Sequence, residues 1–210
     1  LAARDVLEHG KGSWKGDFLE VQLLQTLAEV LVKNKDDVEA LVTHGNIMLR
    51  FPGTEAAMEA EKQASYELEA VYSAGAAGNI PLAHWLSVHY QLVPSFRYYE
   101  AFPGFAEQVG DYLFENGGTN MAAEEYQRVL DLLRDLRIHY PDKADTAKEF
   151  EVRLKKARAL EVGGQLEEAK ALLMSLNIPD DQMKREEVCS SRLYGILNLP
   201  TVSSAGSQPT

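Results

Sequence analysis

Apolar residues recur at three- and four-residue steps along most of the chain, the spacing that puts them on one face of a helix. Phe18, Val21, Leu24, Leu27, Ala28 and Leu31 form the first stripe, with Asp17 as its N-cap. Val38, Leu41, Val42, Gly45, Met48 and Leu49 form a second, which opens at Asp36 and Asp37 and is stopped by Phe51-Pro52-Gly53-Thr54. Thr54 opens an alanine-rich helix to about Ser73, through Ala57, Met58, Ala64, Leu68, Val71 and Tyr72. A turn over residues 74–79 leads into a helix from about Pro81 to Leu92, since proline suits a first helical turn. Residues 94–103 read as a loop rich in aromatic side chains: Phe96, Tyr98, Tyr99 and Phe102, with Phe105 just beyond. Further helices are predicted over 104–115, 120–138, 142–162, 165–176 and 181–196, with breaks at Gly117-Gly118, Tyr140-Pro141, Gly163-Gly164 and Ile178-Pro179. No β-alternating run is found. The pattern predicts an all-α chain of helical hairpins.

Three segments share one spacing. Gly110 is followed by Gly117, Ala122, Tyr126 and Val129; Ala157 by Gly164, Ala169, Leu173 and Leu176; and, more weakly, Gly45 by Ala57. A small residue in the first helix lets the second approach closely, and a glycine seven residues on makes the turn between them. Alanine then sits where the helices cross, and an aromatic or leucine one turn later fills the gap to the next hairpin. This spacing resembles the tetratricopeptide repeat over 103–136 and 150–180, more weakly over 38–65, and hardly at all over 70–102. The phase is irregular: 65 residues separate Gly45 from Gly110, and 47 separate Gly110 from Ala157. The expectation is therefore an α-solenoid of tetratricopeptide-like antiparallel hairpins with lengthened helices. An irregular helical bundle is the alternative.

The resemblance implies a concave groove lined by the first helix of each hairpin, fit for a peptide or helix of a partner. Its candidate lining is Asn46 and Leu49, then Glu107, Asp111 and Phe114, then Leu154, Arg158 and Glu161. The family's chaperone-binding version grips a terminal carboxylate with lysine, asparagine and arginine. Here Asn46 matches one place, but Val42 stands where a lysine is needed and Glu107 and Asp111 carry the wrong sign. A ligand for such an acidic groove carries basic or apolar side chains. Phe96, Tyr98, Tyr99 and Phe102 are a second candidate partner-binding element, set against the alternative that they plug the core between hairpins.

Composition narrows the function classes. The 210 residues include 32 acidic and 21 basic ones, a net charge of −11. That balance argues against nucleic acid and anionic membrane surfaces as partners. The most apolar stretch, Phe18 to Val32, carries Glu20, Gln22, Gln25 and Glu29, so no membrane insertion is expected. One cysteine, Cys189, excludes an internal disulfide and a multi-thiolate metal site. His84 and His89 lie about 140° apart on a helix and cannot share an ion from it, so they read as polar edges on a packed helix. His139 reads as a charge partner for a helix C-terminus. The segment Gly10 to Gly16 fails both the dinucleotide and the P-loop patterns. The pairs Glu124/Glu125 and Glu167/Glu168 read as solvated faces. Arg153, Lys155, Lys156 and Arg158 read as an exposed helix laced by the i,i+4 pairs Glu149–Arg153 and Glu151–Lys155.

No catalytic constellation, metal site or cofactor is expected. The reading is a non-enzymatic adaptor or assembly scaffold, with a constitutive subunit of a large complex, organellar after loss of a targeting segment, as the alternative. Residues 1–16 are expected to be a lead-in, 17–199 one helical-repeat domain and 200–210 a polar tail. The first residue, Leu1, suggests a trimmed or processed chain. The expected compartment is intracellular: cytoplasm first, an organelle matrix after loss of a targeting segment second.

Overall fold

This computed structural model describes residues 4–7 and 18–176. Among them every regular element is helical. Residues 4–7 form a helical turn, α1. There follow α2 (Phe18–Lys33), α3 (Asp37–Arg50), α4 (Glu55–Ala76), α5 (Leu82–Phe96), α6 (Phe102–Glu115), α7 (Thr119–His139), a 3-10 turn (Pro141–Lys143), α8 (Thr146–Val162) and α9 (Leu166–Met174). The expected glycine segment, the helix over 181–196, Cys189 and the polar tail lie outside the described residues.

Local chemistry sets the ends. The Thr54 hydroxyl accepts from the Ala57 amide at 3.2 Å to start α4, and an Asp145 carboxylate oxygen accepts from the Lys148 amide at 2.8 Å to start α8. Four helices finish in one motif. The residue after the cap takes a positive φ, and the next amide reaches back five residues: Asp36 to Leu31, Asn79 to Ala74, Gly118 to Leu113 and Gln165 to Leu160. Gly78, Gly117 and Gly164 supply the positive φ without strain; Lys35, at φ 62°, does so with a side chain.

The loop expected over 94–103 is shorter, residues 97–101 only. α5 runs through Pro94 to Phe96, and α6 already begins at Phe102, with Pro103 in its first turn. Pro94 lies close enough to the helix end that the one amide it withholds does not stop the last turn. The connection is a pair of tight turns, Tyr99 amide to Phe96 carbonyl and Phe102 amide to Tyr99 carbonyl.

Helices adjacent in sequence pack as neighbours from α2 to α4 and from α6 to α9. α3 also lies on α5, and α4 on α6, whereas α5 and α6 make little contact with each other. That break falls where the repeat spacing is absent from the sequence. The main core runs from Leu41 on α3 to Leu176 and holds Tyr72, Trp85, Phe96, Phe102 and Tyr126. Each such side chain contributes roughly 1.5–3 kcal/mol on burial. The repeat positions do what their sizes require. Ala122, Ala157 and Ala169 are buried at helix crossings. A Cβ on Gly110 would stand 2.8 Å from the Tyr126 ring, and one on Gly45 2.8 Å from Ser95 Cβ. Gly45 thus admits α5, not its expected hairpin partner α4.

Among the described residues, four glutamates, Glu20, Glu107, Glu125 and Glu149, are buried in this apolar frame. Each is held by a basic side chain on a neighbouring helix. Arg50 meets Glu20 across α2–α3; Lys148 and Lys155 meet Glu107 across α6–α8; His89 meets Glu125 across α5–α7; Arg137 meets Glu149 across α7–α8. Glu125 is therefore not part of a solvated face: it is 1% exposed, because the apolar stripe of α7 carries it inward.

Candidate functional site

The middle and last groups of expected groove residues do come together. α6 presents Glu107, Asp111 and Phe114 to the neighbouring α8. Lys155 Nζ bonds Asp111 at 2.7 Å and Glu107 at 2.7 Å, and Lys148 also bonds Glu107. The Arg158 guanidinium lies 5.5 Å over the Phe114 ring. The Tyr126 hydroxyl donates to Asp111 at 2.8 Å; burial first, then this carboxylate, hold the phenol well above its ordinary range. Burial works against the charge of Lys155, but its bonds to Asp111 and Glu107 outweigh it and raise the ammonium pKa. Leu154 packs on the main core and Glu161 is half-buried. The acidity expected of this face is therefore neutralised from within. The basic cluster of α8 supplies the cations, so it is not chiefly laced to its own helix. Glu149–Arg153 forms at 3.0 Å, but Lys155 reaches across to α6 instead of pairing with Glu151.

Asn46 and Leu49 lie elsewhere. Ser95 Oγ donates to Asn46 Oδ1 at 3.5 Å where α3 meets α5. Leu49 lines an open cleft of about 420 Å³ between the α3–α4 turn, the α5–α6 turn and the C-terminal end of α7. Met48, Tyr98, Tyr99, His139 and Tyr140 share it. Tyr98 stacks on His139 with ring centroids 4.2 Å apart, and Arg97 covers the Tyr98 ring at 4.7 Å. Glu61 and the Glu100–Lys143 ion pair, at 2.7 Å, border it. The four aromatic candidates thus divide. Phe96 and Phe102 are core residues, 1% and 0% exposed, stacked 5.5 Å apart, and cannot serve as surface anchors. Tyr98 and Tyr99 are half-buried and line the cleft.

The arrangement that the sequence did not announce is buried. The Tyr72 hydroxyl meets His89 Nδ1 at 2.7 Å, and His89 Nε2 meets Glu125 Oε1 at 2.8 Å. Arg128 Nε donates to the other Glu125 oxygen at 3.2 Å and sits 4.9 Å over Tyr90. Burial first, then the Glu125 charge, hold the Tyr72 phenol well above its ordinary range, so it remains a donor. With the phenol as donor, we assign His89 the neutral tautomer in which Nδ1 accepts and Nε2–H is donated to Glu125. The order resembles a charge relay, but Tyr72 and His89 are both 0% exposed. It ties α4, α5 and α7 together. His84, on the other side of α5, is exposed, as the expected angle between the two rings requires.

Among the described residues no group of three or more His, Cys, Asp or Glu side chains is placed to hold a metal ion. None of their helices is long and apolar enough to cross a membrane. No family model matches the chain, and neither a curated protein nor a solved structure matches it.

Proposed function

We propose that this chain is a non-enzymatic protein-interaction module, an α-solenoid of tetratricopeptide-like hairpins that holds a peptide or helix of a partner as an adaptor or assembly scaffold. The observation that carries the reading is the aromatic cleft. Leu49, Tyr98 and Tyr99, from two distant segments, line one open concavity with His139 and Tyr140 from a third. Tyrosine rings bring large contact area at little conformational cost, the property that makes them binding anchors. The steric roles of Gly110, Gly117, Ala122 and Tyr126, and of Ala157, Gly164, Ala169 and Leu173, support the repeat architecture. The family's concave groove is replaced in this reading by a cleft at the helix ends, because the α6–α8 face is already charge-paired.

The test compares the wild type with the double variant Leu49→Ala/Tyr98→Ala, tagged and recovered from the native extract, with bound chains quantified by mass spectrometry. Selective loss of a partner at unchanged helicity supports the reading; identical partner profiles overturn it. A constitutive subunit is the second reading, favoured by exposed apolar side chains: Phe18, Tyr66, Ile138, Val162 and Met174 are each more than half exposed. A fixed-ratio assembly that survives high salt would select it.

A further inference from the structure

A second concavity adjoins the aromatic cleft, reaching Met58 from the other side, and the inference drawn from it goes beyond the proposed function. α2 and α4 flank α3 and leave a trough between them. One hollow of the trough, about 380 Å³, has a floor of Ala28, Ile47 and Ala60, each at most 3% exposed. Its walls are charged: Glu29 from α2, Glu59 and Glu67 from α4. Among the described residues, Lys33 is the one cation on that wall, and it already lies 3.9 Å from Glu29. A neighbouring hollow shares Gln25, Ala56 and Glu59 with it and continues past the exposed Phe18 and Met58.

Among the described residues, two polar atoms in the first hollow are buried without a hydrogen-bond partner, His44 Nδ1 and Glu67 Oε2. A buried orphan acceptor costs about 1–3 kcal/mol, more when charged. Burial first, then the charge of Asp37, raise the Glu67 pKa; burial lowers that of His44, against the pull of Glu59. The hollow therefore has an apolar floor, an excess of carboxylates and two polar atoms that no described residue satisfies. A side chain with an apolar stem and a multi-donor cationic head fits all three features, and arginine offers five donors where lysine offers three.

We propose that the trough docks an amphipathic helix of a partner protein, which lays one arginine stem over Ala28, Ile47 and Ala60 and sets the guanidinium on Glu67 and Glu59. α2 supplies a wall about 24 Å long, enough for some four turns of such a helix.

The probe is a synthetic sixteen-residue amphipathic helix, with alanine and leucine on one face and glutamine on the other, fluorescently labelled, with one arginine at the centre of its apolar face. Its control carries citrulline there, which keeps the shape and removes the charge. Anisotropy titration of the full chain should show the arginine peptide bound at least about tenfold more tightly, a difference of about 1.4 kcal/mol. Glu67→Gln should erase that preference, and Glu59→Gln should reduce it, both at unchanged circular dichroism. Leu49→Ala/Tyr98→Ala should leave it intact, which separates this site from the aromatic cleft. Equal affinity for the two peptides, no saturation by either up to about 1 mM, or a preference that survives both glutamine substitutions would overturn the proposal.

Discussion

Removing one hydroxyl from Tyr72 tests the buried network most directly. Tyr72→Phe keeps the ring against Phe105, at 5.0 Å, and Trp85, at 6.0 Å, so packing is preserved. It leaves His89 Nδ1 without a donor inside a core that water does not reach. An orphaned buried acceptor costs about 1–3 kcal/mol, so a loss of about 2 kcal/mol is expected. His89→Leu does more harm. It orphans the phenol and takes one of two partners from a carboxylate that is 1% exposed, a cost of roughly 3–5 kcal/mol. The double variant distinguishes the network from simple crowding. With the phenol already gone, His89→Leu no longer orphans it, so the pair should cost less than the sum by about 1–3 kcal/mol. Urea unfolding at pH 7, followed by circular dichroism at 222 nm with a common slope, reads all four corners of the cycle. Tyr72→Phe within about 0.5 kcal/mol of wild type, or a strictly additive double variant, would refute the reasoning.

The backbone offers a gain. Lys35 sits at φ 62° where three other helices use glycine, so Lys35→Gly should raise stability by about 1 kcal/mol in the same assay and Lys35→Val should lower it. Close approach offers losses. Gly110→Ala presses on the Tyr126 ring at 2.8 Å and Gly45→Ala on the Ser95 carbonyl oxygen at 3.0 Å; each should cost about 1–3 kcal/mol, the second more because backbone yields less than a ring. The pH profile has a definite sign at His44. Its folded pKa lies below 6.5, so its contribution is full above pH 6.5 and is lost as pH falls through the folded value. His44→Gln should therefore flatten the decline of the urea midpoint as pH falls below 6.5, and an unchanged decline would assign that loss to other groups.

The helices were legible because apolar spacing and turn chemistry are local. α2 to α4 and α6 to α9 fall within a few residues of their expected ranges, and Gly117 and Gly164 take the positive φ that their turn role requires. The stretch from 94 to 103 reads as one long loop because Pro94 and a crowd of aromatics look like a break. Yet Trp85, Val88, Leu92 and Phe96 form one stripe, and the core they enter holds the last turn in place. The candidate site was half legible. Leu49, Tyr98 and Tyr99 share a cleft that no spacing rule could place, since it is made where two turns meet the end of α7. Glu107 and Asp111 were read as free acids because their partners lie roughly forty residues away on α8, beyond any intrahelical rule.

A signal for the buried charges was nonetheless present. Glu125 stands in the stripe of Ala122, Val129, Leu132 and Leu136, and Glu20 in that of Leu24, Leu27 and Leu31. A carboxylate at a stripe position must enter the core with the stripe, and it survives there only beside a donor. A buried ion pair adds little net stability over an apolar substitute, but separating its members costs roughly 3–5 kcal/mol. Wherever two helices slide out of register, a buried glutamate loses its cation, or in the case of Glu125 its imidazole donor, and that penalty falls due. The sequence spacing of this chain is too uneven for a regular repeat to fix the stacking of its helices. The pairs Glu20–Arg50, Glu107–Lys155, Glu125–His89 and Glu149–Arg137 discriminate at four helix junctions where uniform apolar faces would tolerate a slip.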